Sequence, residues 1–302
     1  MTKVAMITGE QRRKMVREAI DALGPEAVTR FRQAKQILIQ PNLVHHELQL
    51  ASTHVDAVRG VLDQIRIYTD APVIIADGAH YGTKAGFRNF GYENLLEQYV
   101  NVSLVDLNDE EVFEQAISEG DQSTVVRRPR IVRDCDLRIA VTPMKTHHEY
   151  GASLSVSSWA EATMIVPSRV GAQGRVWSRA PWLAAQGDDA THNLLATLFE
   201  KLPCHMAVID GILAMEGEGP VEGTAIPMGV VLASLDPVAA DTVAVTLMGF
   251  DPQAIGYLQI LAERGVGNND MSKIDLPPVL LLQLTRSFAL PVTTRQRLQF
   301  TG

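Results

Sequence analysis

Short apolar runs alternate along this chain with longer stretches in which apolar residues recur every three or four positions. Val4 to Ile7, Gln36 to Asn42, Pro72 to His80 and Asn101 to Asp106 are runs of β-formers closed by polar or turn residues, and they predict buried strands. Between them, Gln11 to Leu23 places Val16, Ala19, Ile20 and Leu23 at helical spacing and stops at Gly24-Pro25. Thr53 to Ile67 repeats the pattern with Val55, Val58, Val61, Leu62 and Ile65 behind a Ser52 or Thr53 cap. Phe87 to Tyr99 predicts a further amphipathic helix, broken near its start by Gly91. Strands and helices in strict alternation imply a parallel or mostly parallel sheet covered by helices.

The apolar run between Asp136 and Pro143 predicts the central strand, and Lys145, His147 and His148 then fall on the loop that leaves it. Before it, Asp109 to Gly120 is an acidic surface segment, Val125 to Val132 reads as a hairpin, and Arg127, Arg128, Arg130 and Arg133 read as a solvated loop. After it, the serine-rich segment Gly151 to Ala162 and the stretch Pro167 to Asp189, with Trp177 and Trp182, show no sustained period and predict a lid or binding loop. Thr191 to Leu202 is a helix with His192 in its first turn. Cys204 to Ile209 is a strand, Asp210 to Gly223 a glycine-rich acidic loop, and Met228 to Ser234 another strand. Asp236 and Pro237 are a cap and first-turn residue for a helix to Met248; Pro252 to Arg264 is a helix and Pro277 to Leu284 an apolar strand. The predicted class is α/β, mostly parallel sheets flanked by helices in two lobes, 1–144 and 145–302, with a cleft between them and the Ser/Trp-rich loop at 151–190 in the second.

Composition narrows the function classes. At 302 residues, 46% hydrophobic and 21% charged, the chain has the make-up of an ordinary globular protein with a large core. A net charge of -8 without a clustered basic face argues against a nucleic-acid partner. Two cysteines, Cys135 and Cys204, cannot supply the ligands of an iron-sulfur cluster or a disulfide framework, and reduced core positions are expected for them. No apolar stretch reaches the roughly 20 residues of a membrane span, so no membrane partner and a cytoplasmic location are expected.

Ligands of open α/β sheets sit at the carboxyl ends of strands, where His80 and His147 emerge here. Two imidazoles facing one pocket can serve as acid and base near neutral pH, and Lys145 beside them can anchor an anion. His80, His147 and Lys145 are therefore the catalytic candidates, and Asn42, Thr53, Ser157 and Ser158 the substrate-binding ones. Ser155, Ser157 and Ser158 form a further candidate anion pocket. Imidazole and carboxylate also suit a divalent metal, for which Asp77, Asp210 and Glu216 are candidates. Each has a bland reading beside it: His45, His46 and His148 as solvated residues, Glu216 and Glu218 as exposed acids, Asp236 as a cap.

The set Pro41-Asn42, Asp77-Gly78, Gly91-Tyr92, Lys145-Thr146-His147, Asp210-Gly211, Glu216-Gly217-Glu218-Gly219-Pro220, Asp236-Pro237 with Asp241, and Gly249-Phe250-Asp251-Pro252 resembles the domain of unknown function 362 family, from about Lys3 to Asp270. Some members of that family carry ferredoxin-type clusters in added cysteine modules, which this chain lacks. A second resemblance, to the nickel-pincer lactate racemase family, is carried by Ile75-Ala76-Asp77-Gly78-Ala79-His80 and by the later order of Asp136, His147, a glycine/serine-rich loop and His192. It implies that His80 and His147 exchange the proton at the carbon of a 2-hydroxy acid, that His192 ligates nickel, and that a lysine tethers the cofactor. The tethering position falls at Ser157 or Ser158, and serine cannot form that adduct, so a covalently held nickel-pincer nucleotide is not expected. The sequence thus predicts an isomerase- or racemase-like enzyme acting on a small anionic metabolite by histidine acid/base chemistry, with a divalent metal as a compatible cofactor. The alternative is a non-catalytic metal- or ligand-binding protein. Oligomeric state has no signal in these patterns.

Overall fold

The structure is a computed structural model that describes residues 1–119, 122–171, 174–177 and 188–292. Its strands are β1 (Thr2–Thr8), β2 (Ile37–Pro41), β3 (Val73–Asp77), β4 (Val102–Asp106), β5 (Val112–Glu119), β6 (Gln122–Pro129), β7 (Leu137–His147), β8 (Gly151–Ser153), β9 (Arg169–Gly171), β10 (Gly174–Val176), β11 (Met206–Glu216), β12 (Thr224–Ser234) and β13 (Ile274–Asp275). A nine-stranded sheet runs in the order β13-β1-β12-β11-β7-β2-β3-β4, with β8 paired to the end of β7. From β11 to β4 the neighbours are parallel, while β12 is antiparallel to both β1 and β11. The α/β class and its mostly parallel sheet are as the alternation predicts. The sheet draws strands from both halves of the chain, and residues 144 and 145 are consecutive positions inside β7.

Strand side chains alternate between two cores, as the pleat requires. Ile37 and Ile39 face the helices Arg12–Asp21, Pro25–Gln33 and Val55–Arg66 through Val16, Ile20, Phe31, Val58 and Leu62. Leu38 between them faces the other side, where Trp159, Leu195, Phe199, Val243, Leu247 and Tyr257 come from the helices Ser155–Ala162, Asp188–Lys201, Pro237–Leu247 and Gly256–Glu263. Two of the first set of helices touch at Gly60, where a Cβ would lie 2.7 Å from both Arg13 O and Val16 Cβ; only glycine permits that crossing. Among the described residues no helix is long and apolar enough to cross a membrane.

Several elements differ from expectation for identifiable reasons. The sequence-based strand over Pro277 to Leu284 is a helix, Pro278–Leu284; a short apolar run does not distinguish the two, and Pro278 suits a first helical turn. The helix Pro25–Gln33 begins at the Gly24-Pro25 pair, which the periodicity reads only as a stop, with Gly24 as its N-cap residue and Pro25 in its first turn. Residues 112–119 are not a bare acidic surface segment but pair with 122–129 as a hairpin. β7 does not end at Pro143: β8 folds back antiparallel and pairs with Lys145, Thr146 and His147, so the strand continues through the residues expected on a loop. β11 likewise continues past Asp210 to Glu216 across a register shift. The serine-rich segment forms the helix Ser155–Ala162 after β8, and Trp182 lies outside the described residues.

One of the four arginines expected in a solvated loop is buried. Arg128 donates to Leu198 O at 2.6 Å, to Thr163 O at 3.3 Å and to the Thr163 hydroxyl, so a guanidinium caps carbonyls at the C-terminal ends of two helices.

Candidate functional site

The carboxyl ends of β2, β3 and β7 open into a cavity of about 460 Å³. Asn42 follows β2, Asp77, His80 and Tyr81 end or follow β3, and Lys145 and His147 come from β7. Tyr150 lines it from the turn between β7 and β8, Ser158 and Glu161 from the helix Ser155–Ala162, and Glu218, Pro220 and Glu222 from the turn between β11 and β12. The strand-end position predicted for His80 and His147 thus brings both, with Lys145, to one hollow.

Its floor is a buried hydrogen-bond network. The Asp77 carboxylate accepts from Gln40 Nε2 at 3.0 Å and from Leu43 N at 2.9 Å, tying the loop after β2 to the end of β3. Gln40 Nε2 also donates to Ser158 Oγ at 3.2 Å, and Asn42 accepts from Val44 N at 3.2 Å. Lys145 is fully buried and its Nζ donates to Ala51 O at 2.6 Å. Burial pushes its pKa down to about 7, against the opposing pull of Glu161 and Asp77.

His147 is held neutral. Burial lowers its pKa well below the usual imidazole value, and the neighbouring His148 and Lys145 add to the effect. Its Nδ1 accepts from Glu149 N at 3.1 Å, so the neutral ring carries its proton on Nε2. The ring lies flat on Tyr150, centroids 3.6 Å apart at 12°, and the Tyr150 hydroxyl donates to Glu161 at 2.5 Å. Across the mouth, His80 meets Tyr81 edge-on at 4.4 Å, and Tyr81 in turn meets His45 at 4.9 Å.

The family profile described as Domain of unknown function (DUF362) matches residues 37–246. The chain belongs to the DUF362 family. The matched span runs from β2 through most of the helix Pro237–Leu247 and so includes every cavity residue named above. A curated relative, the thylakoid-associated protein sll1697 of Synechocystis sp., is 24% identical over 225 residues, which are 73% of this chain and 65% of that protein. Among solved structures, the lactate racemase apoprotein from Thermoanaerobacterium thermosaccharolyticum superposes with a TM-score of 0.52 at 12% identity over 81% of this chain and 56% of its own. That likeness is one of fold. The DUF362 chain spans less than two thirds of the length of either protein.

Other predicted site residues in this DUF362 protein are engaged elsewhere. Thr53 is buried: its hydroxyl donates to Val141 O at 2.7 Å and accepts from Asn42 N at 2.9 Å, while His54 and not Thr53 caps the following helix. Ser157 Oγ accepts from Leu154 N at 3.1 Å in the first turn of its helix. Asp210 pairs with Arg12 at 2.5 Å, its pKa raised by burial and pulled back by that guanidinium. Glu216 accepts from Ala289 N at 2.7 Å, and His192 packs on Gly256 with Nδ1 accepting from Tyr257 N at 3.2 Å. Of His192, Asp77, Asp210 and Glu216, only Asp77 lines the cavity, and among the described residues no three His, Cys, Asp or Glu side chains gather as a metal-binding group.

Sequence reasoning missed Tyr150, Glu161, Glu149 and Tyr81. Ser158 and Glu161 are three apart on one face of a helix, a signal lost by reading that segment as a loop.

Proposed function

We propose that this DUF362 protein is an isomerase-like enzyme that binds a small anionic metabolite in the cavity and moves a proton on it. The observation that carries the reading is that His80, His147 and Lys145, from the ends of two strands, line one hollow. The protonation states then assign roles. His147, neutral and protonated on Nε2, donates a hydrogen bond to a ligand oxygen on which charge develops. Lys145, with a pKa of about 7, exists in both forms at neutral pH and can take up and return a proton; the half-buried His80 is the second base candidate.

The rim carboxylates Glu149, Glu161, Glu218 and Glu222 outnumber the ammonium, so an anion enters at least electrostatic cost when accompanied by a divalent cation. This charge balance supports a metal-assisted form of the reading. No step above depends on it, and no nickel-pincer nucleotide is included, because Ser157 and Ser158 offer no amine.

Purified protein incubated in deuterated water with single enantiomers of 2-hydroxy acids, with and without Mn²⁺, tests the proposal. Deuterium should enter at the carbon bearing the hydroxyl and be lost in His80→Ala and His147→Gln. A second reading, binding without turnover, is favoured by the burial of Lys145 against Ala51 O. Saturable binding of a 2-hydroxy acid without deuterium uptake would establish it in place of the enzyme.

A further inference from the structure

The cavity wall carries a stack of rings that the proton-transfer reading uses only at one end. Tyr150 presents its ring face to His147 at 3.6 Å, and it is itself immobilised at both edges. Its hydroxyl is held by Glu161 at 2.5 Å, and its ring meets Tyr257 edge-on at 6.1 Å, Tyr257 being fixed by a hydrogen bond from its own hydroxyl to Ala152 O at 3.1 Å. On the other side His148 stacks on His147 at 4.8 Å and 14°, and its backbone N–H is bonded to Gly219 O at 2.9 Å.

A ring held on a fixed plane has its two nitrogens aimed in fixed directions. With Nδ1 directed at the Glu149 N–H, the alternative tautomer would set two donors against each other. If the plane tilts, that contact lengthens and the preference for one tautomer weakens. We propose that Tyr150 and Glu161 are positioning residues of this site: Glu161 anchors the tyrosine hydroxyl, and the tyrosine ring holds His147 in the plane that keeps Nδ1 an acceptor and Nε2 the donor. The inference rests on the reading of His147 as the group that meets the ligand, and it specifies which nitrogen does so.

The experiment needs no ligand. Two-bond ¹H–¹⁵N correlation spectra of the full chain, with His147 assigned by its loss in His147→Gln, report the tautomer directly. Wild type should show the Nε2–H form. Tyr150→Leu should move both nitrogen shifts toward the tautomer average, and amide exchange at Glu149 should speed up at least about tenfold as its acceptor is lost. Glu161→Ala should give a smaller change in the same sense, and Glu161→Gln, which can still accept from the tyrosine hydroxyl, should restore the wild-type signals. Should Tyr150→Leu fail to fold, Glu161→Ala, at a half-exposed position, carries the test. Folded variants with unchanged His147 signals overturn the proposal, whatever the deuterium-uptake experiment finds.

Discussion

The Asp241 carboxylate sits on the first turn of the helix that begins at Ser155, accepting from the Ser155 hydroxyl at 2.5 Å and from the backbone N–H groups of Ser155 and Val156 at 3.0 and 2.9 Å. A helix N-terminus presents unpaired N–H donors, and here the helix Pro237–Leu247 supplies a carboxyl to accept from them. Of the three serines expected to form an anion pocket, Ser155 is therefore taken by Asp241 and Ser157 by Leu154 N, and Ser158 lines the cavity. Asp241→Ala should cost about 2–4 kcal/mol in denaturant unfolding, because it leaves buried donors without an acceptor.

The same carboxyl gives a pH signature. Burial pushes Asp241 up to about 7, with the Ser155 and Val156 hydrogen bonds pulling it back. A folded-state pKa above the unfolded value of about 3.9 means that its stabilising contribution is complete below that value and lost as pH rises through 7. Wild type minus Asp241→Asn should thus show stability falling between pH 4 and 7, by at most about 1.4 kcal/mol per pH unit. A flat difference across that range would mean the carboxyl is ionised throughout.

Lys145 runs the other way. Its folded-state pKa, about 7, lies below the ordinary lysine value, so its contribution is present above about 10.4 and lost as pH falls toward 7. Between pH 7.5 and 9.5 wild-type stability should rise relative to Lys145→Met by up to about 1.4 kcal/mol per pH unit. Urea unfolding of the two proteins at matched pH measures it, and parallel curves would place the lysine's titration outside that range.

Gly219 fixes how closely the turn between β11 and β12 approaches the cavity. A Cβ there would lie 2.2 Å from Thr146 O, a backbone atom that cannot swing aside, and the same turn is held by His148 N to Gly219 O at 2.9 Å and Thr146 Oγ1 to Gly217 O at 2.9 Å. Gly219→Ala should cost about 1–3 kcal/mol and raise amide exchange at His148. Unchanged exchange at His148 would show that the turn does not depend on this contact.

Arg128→Met should be among the most damaging single changes in the protein, at about 3–5 kcal/mol, since it strips donors from Thr163 O and Leu198 O inside the core. Arg128→Lys should recover only part of that loss, because one ammonium cannot span both helix ends. Equal thermal-unfolding midpoints for wild type and the Arg128→Lys variant would refute the two-ended cap.

Much of the fold is legible in the chain. Val4 to Ile7, Gln36 to Asn42 and Pro72 to His80 read as strands because β-branched runs and turn residues act locally, and Asp236 reads as a cap because capping involves only neighbours, its side chain accepting from Ala239 N at 3.1 Å. Pairing across distance is not so written. The continuation of β7 through Lys145 to His147 depends on β8, and the burial of Arg128 depends on two helix ends that lie 35 and 70 residues further on.

Local patterning was enough to specify an alternating α/β chain and the emergence of His80 and His147 at strand ends, since apolar period and turn chemistry are properties of adjacent residues. Which polar groups share the hollow was settled by the assembled sheet. Sheet order and register carry Asp77 and Glu161 to Lys145 while turning Asp210 to Arg12 and His192 to Tyr257, and burial, which no single segment encodes, then sets the protonation of His147 and Lys145.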